Sequence, residues 1–122
     1  MSFSKYLTAL VILLMSSASW AGGYVTASPA KLSHVQTGVN FFGLTEANVY
    51  PAAGVTYADP DGCGNSGAAT VLALVKSGNS TYKDQLATLL LAISGNLNVK
   101  IWVEGCSGWN PKIQWVEVYA AP

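Results

Sequence analysis

The sequence predicts a small, mostly β domain that carries one helix. Residues 98–104 alternate apolar and polar side chains, which turns one face of a strand toward a core. Leu86, Leu89, Leu90 and Ile93 recur instead at helical spacing. Elsewhere Gly, Pro, Asn and Asp break the chain at short intervals, as they do between strands.

The first segment has the three-part layout of a secretory leader. Lys5 is its cation, Leu7–Met15 is apolar apart from Thr8, and Ser19-Trp20-Ala21 puts small residues where a signal peptidase reads. The apolar run falls short of the roughly 20 residues that a spanning helix needs. Cleavage is expected after Ala21, leaving residues 22–122 as one domain in the periplasm or outside the cell, with no membrane span.

The segment 22–30 has little periodicity and reads as an irregular lead-in. Residues 32–44 are rich in β-formers, with a bend or turn at Gly38 or Asn40. Pro51 and Gly54 interrupt 46–59 and leave 55–57 as a short strand. Asp59-Pro60-Asp61-Gly62 is turn chemistry, and Gly64–Gly67 extends that loop. The apolar run in 70–76 reads as a buried strand. Asn79 or Ser80 can cap the helix, and Gly95 or Asn96 can stop it. In the strand 98–104, Val99, Ile101 and Val103 share one face, and Lys100, Trp102 and Glu104 the other. A turn at 105–111 holds Cys106, and 112–119 is the last strand, with apolar residues on both faces. Strands, a helix and then two strands match the five-stranded Greek-key barrel with its helix between strands three and four, the OB-fold. A small α+β sandwich is the alternative.

Without Lys5, five lysines face six acids and there is no Arg, so the net charge is −1. Clustered cations, the footprint of nucleic-acid binding, are missing. In an oxidising compartment the two cysteines, Cys63 and Cys106, read as a disulfide. Closing that loop stabilises the fold by about 4 kcal/mol in the loop-entropy model. Two Cys and a lone His34 are too few ligands for zinc, and no cofactor is expected.

The stretch QLATLLLAISGNLNVKIWVEGCSGWNPKIQWVEVY, Gln85–Tyr119, resembles the receptor-binding B subunit of subtilase cytotoxin and its short secreted bacterial relatives. The shared features are a Leu/Ala-rich helix, a small-residue stop, the VKIWVEGC strand and a final aromatic-rich strand. The likeness covers about the last third of the chain. It implies an OB-fold, the Cys63–Cys106 pair, a ring of five protomers, a cell-surface glycan as ligand and a catalytic partner subunit. It carries over no sugar-binding residue, because 31–62 do not align with the toxin subunit.

An enzyme is not expected. His34 is the only base of its type and has no signature around it. Asp59 and Asp61 are explained as turn formers and lack the further oxygen ligands of a calcium loop. Asn79-Ser80-Thr81 fits a glycosylation acceptor and a helix cap equally well. Trp102, Trp115 and Tyr119 would point outward if the neighbouring valines are core, which makes them candidates for a protomer interface unless a loop, the lead-in or the helix covers them. Trp109 and Asn110 sit beside Cys106, where an indole and an amide either bind a sugar or pack over the disulfide. The expected function is a secreted, oligomeric, glycan-binding module. The alternatives are a cell-envelope accessory protein that binds protein partners through sheet edges, and a periplasmic inhibitor.

Overall fold

The computed structural model describes residues 21–26, 28–40, 42–64 and 68–120; residues 1–20 of the segment expected to be a leader, Phe41 and part of the glycine-rich loop, 65–67, lie outside the described residues. Among these the elements run β1 (Gly23–Tyr24), β2 (Leu32–Val39), β3 (Thr45–Pro51), β4 (Tyr57–Ala58), β5 (Ala68–Ala69), β6 (Leu72–Val75), α1 (Tyr82–Ser94), β7 (Asn98–Ser107) and β8 (Asn110–Tyr119). The described residues are mostly β with one helix, as the sequence predicts.

Six strands form the main sheet in the order β1-β7-β8-β6-β3-β2, and β4 pairs with β5 apart from it. Five strands were expected, but the expected strand 55–57 lies outside this sheet and contributes only Tyr57, to β4; β3 and β1 join the sheet instead, β1 from the lead-in that shows no periodicity. That segment lies along β7, with Gly23 opposite Val103 and Tyr24 opposite Trp102. Val25 N–H then donates to Ile101 at 3.0 Å, and Ala30 exchanges bonds of 2.9 and 2.8 Å with Val99. Pairing along the sheet is antiparallel except between β6 and β8, which run parallel.

Val49, Leu72, Leu74, Val99, Ile101, Val103 and Ile113 meet Leu89 of α1 in one core. Burying each such side chain stabilises the fold by about 1.5–3 kcal/mol. β3 is a full central strand that the sequence hides, because buried Glu46 and small Ala47 break its alternation.

The helix is rotated from its expected setting. Tyr82, Leu89 and Ala92 are buried, Leu86 packs partly against the core, and Leu90 is 50% exposed. The buried line therefore runs 82-86-89-92, and Leu90 lies about 100° around the helix from Leu89. Thr81, not Asn79 or Ser80, takes the cap position, and no side chain caps the first turn there. Asn79 instead braces the turn ahead of the helix. Its Oδ1 accepts from Thr81 N–H at 3.1 Å, and its Nδ2 donates to Gln85 Oε1 at 2.7 Å. Asn96, at φ 50°, is the left-handed residue at the other end, where Leu97 N–H reaches back to Ala92 at 2.8 Å.

The two-faced pattern of β8 has a local cause. Trp102 pairs with Trp115 but Val103 pairs with Ile113, so Gln114 is an extra residue, a β-bulge. Before it, Pro111 and Ile113 point inward; after it, Val116 and Val118 do. Gln85 Nε2 of the helix donates to Gln114 O at 2.9 Å and ties α1 to the bulge. The hairpin turn is shorter than expected, at Gly108-Trp109, so Cys106 lies within β7.

Candidate functional site

The β2–β3 and β7–β8 turns meet the Cys63 loop around a cleft of about 490 Å³ lined by Asn40, Phe42, Glu46, Cys63, Ser107 and Gly108-Trp109-Asn110. Asn40 builds the first turn. Its Oδ1 accepts from Phe42 N–H at 2.9 Å and Leu44 N–H at 3.0 Å, and its own N–H donates to Leu44 O at 2.8 Å. Gly43, at φ 78°, completes the reversal. That turn sets Phe42 on the rim, where a Cβ on Gly108 would stand 3.7 Å from the Phe42 ring.

Glu46 forms the floor. It is only 7% exposed, and its Oε2 accepts from Asn40 Nδ2 at 3.2 Å and Ser107 Oγ at 2.9 Å. Among the described residues, these partners are neutral rather than cationic. The disulfide Cys63–Cys106, with Cα atoms 5.5 Å apart, closes one side. Asp59 stiffens that side, its two oxygens accepting from Cys63 N–H and Gly64 N–H at 2.8 Å each. Trp109 projects from the hairpin tip, 71% exposed, beside half-buried Asn110. The cleft thus joins an indole and a phenyl ring to a carboxylate, two amides and a hydroxyl. Such a set can stack on an apolar face and accept or donate hydrogen bonds beside it.

Trp109 and Asn110 were legible in the sequence as neighbours of the disulfide, and the structure brings them to this cleft. Asn40, Phe42, Glu46 and Ser107 were not. Glu46 left one signal, a lone acid beside the β-forming Val49-Tyr50 stretch.

The three candidate interface aromatics lie on the outer face of the sheet, away from the cleft lining. Tyr24, Trp102 and Trp115 form a row across β1, β7 and β8. Tyr24 packs edge-on against Trp102 with ring centroids 5.1 Å apart and leaves the indole half-buried, so the lead-in covers it. Lys100 Nζ sits 4.3 Å from the Tyr24 centroid. Trp115 is 60% exposed and Tyr119 is 40% exposed. Tyr119 Oη donates to Glu117 at 3.0 Å, a bond that raises the phenol above its ordinary pKa.

His34 is stacked on Tyr50 at 4.3 Å on the exposed strand β2, with Ser33 Oγ 2.9 Å from its Nδ1. Asp59 and Asp61 do form the expected turn, with Gly62 N–H donating to Asp59 O at 3.2 Å, but each carboxylate also binds backbone. Among the described residues, no three His, Cys, Asp or Glu side chains cluster to hold a metal, and no helix is long and apolar enough to cross a membrane. No protein-family model matches the chain, and neither the curated proteins nor the solved structures give a match.

Proposed function

We propose that the chain is an exported glycan-binding module whose binding site is the Glu46 cleft. The observation that carries this reading is the buried Glu46 carboxylate, held by neutral Asn40 and Ser107 under two exposed rings. A carboxylate taken out of water without a cation is costly unless further donors reach it. Hydroxyl groups of a sugar supply such donors, and Trp109 offers the flat apolar surface on which a pyranose face stacks. A neutral sugar suits this floor better than an acidic one, which would bring a second carboxylate against Glu46.

The architecture is consistent with an OB-type domain. The strand order from β2 through β3, β6 and β8 to β7, the parallel β6–β8 pair and the Ala30–Val99 bonds support that assignment. The same reading makes the protein secreted or periplasmic and oligomeric, with Trp115 and Tyr119 toward a neighbouring protomer. A ring of five and a catalytic partner subunit follow from the toxin-subunit resemblance alone. A second reading, a cell-envelope accessory protein, is favoured by β2, an eight-residue edge strand without Lys or Pro that can add a partner's strand.

A glycan array with the exported protein, run beside Trp109→Ala, tests the proposal. Neutral glycans should be retained by the wild type and lost by the variant. Absence of wild-type binding across the array refutes it.

A further inference from the structure

We propose that Asp61 is the receptor for the new amino terminus that leader removal creates at Gly22. Asp61 Oδ1 lies 3.1 Å from Gly22 N and 2.9 Å from Ala21 N, and its Oδ2 accepts from Gly105 N–H at 2.9 Å. A turn-forming Asp needs none of these long-range bonds. Burial works against the Asp61 charge, but the donors from Gly105, Gly22 and Ala21 outweigh it and hold the carboxyl below its ordinary value. The site already favours a carboxylate before any cation is present.

The residue at the cut is fitted to the place. Gly22 has φ 65°, and a Cβ there would stand 2.9 Å from Val103 O and 3.0 Å from Trp102 Nε1. Only glycine occupies that position without displacing β7. Gly23 follows against the same turn, where a Cβ would stand 3.3 Å from Pro60. The first residues of the processed chain are thus held between Trp102 and the Asp59–Gly62 turn.

Cleavage by an export peptidase adds water across the Ala21–Gly22 bond. The hydroxyl goes to the Ala21 carbonyl carbon and the hydrogen to the Gly22 nitrogen. The resulting amine takes a proton from solvent. A neutral amide donor 3.1 Å from Asp61 thereby becomes an ammonium, and the hydrogen bond becomes an ion pair. Through Gly105 the pair is coupled to the Cys63–Cys106 wall, so processing locks the end of the chain onto the cleft's own frame. The inference rests on the export reading and not on any ligand.

Competitive acylation of the α-amine across pH, read by mass spectrometry on protein recovered after export, tests this. The mass should correspond to a chain beginning at Gly22. An ordinary α-amine titrates at about 7.7–8.0; the pair should raise that value by about one unit, which leaves roughly tenfold less neutral amine to react at pH 7. Asp61→Asn should restore ordinary reactivity. Because that variant also alters the Gly105 bond, the wild-type titration decides alone. An ordinary wild-type value overturns the proposal, and so does a mature chain that begins at any other residue.

Discussion

Two aromatic surfaces lie on the same β7–β8 hairpin, and they differ in what surrounds the rings. At the tip, Trp109 stands over a buried carboxylate, two amides and a hydroxyl. Along the strands, Tyr24, Trp102 and Trp115 stand in a row, Tyr24 against Trp102 and beneath Lys100. Tyr119 has its own partner in Glu117. The row satisfies much of its own chemistry within the chain, whereas the tip gathers polar groups around a cleft. Exposure alone does not separate the two. The neighbours do: polar groups surround the ring at the tip, and mostly other rings and strand backbone surround those of the row.

The largest expected effect divides the regions by stability. Cys106→Ser, which opens the wall of the cleft, should cost about 2–5 kcal/mol in chemical denaturation, the range for native disulfides in small secreted domains. The near-ultraviolet signal of the aromatic row should survive at low denaturant. Its complete loss would show that the two regions form one cooperative unit.

Function should divide them next. Glu46→Gln removes a charged acceptor, and a hydrogen bond to charge is worth about 1.5–3 kcal/mol, so affinity for a neutral glycan should fall about tenfold or more. Trp115→Ala should leave that affinity unchanged and shift sedimentation toward monomer. If Trp115→Ala weakens glycan binding while Glu46→Gln does not, the assignment is reversed.

A smaller effect probes the row itself. Tyr24→Ala removes an edge-to-face pair worth about 0.5–1.5 kcal/mol and should shift Trp fluorescence to the red as water reaches Trp102. An unchanged spectrum would mean that Tyr24 does not cover the indole in solution. The smallest effect belongs to the outer face of the helix. Leu90→Ala should cost below about 0.5 kcal/mol, as surface substitutions do. Leu89→Ala should cost about 2–5 kcal/mol by urea denaturation. Equal losses would contradict the observed rotation of α1.

Local chemistry by itself determined much of this protein. The alternation of Val99, Ile101 and Val103 placed one face of β7 inside. Asn40 was readable with Gly38 as a turn candidate because its side-chain oxygen can accept from nearby backbone N–H groups, and Asn96 was readable with Gly95 as a helix stop because an amide tolerates the left-handed conformation. The cysteine count indicated the disulfide, and adjacency alone put Trp109 and Asn110 beside it. Tertiary structure decided the rest. A helical stripe sets which residues share a face but not the rotation at which that face meets a sheet, so Leu90 fell outside the core. A bulge is a mismatch between two strands, so the phase change at Gln114 has no signature within β8. Glu46 and Ser107, separated by 61 positions, meet only because β3 begins where β7 ends, at the same side of the fold. Periodicity reports the environment of an element from its own residues, and no local pattern encodes which distant side chain will complete a buried carboxylate.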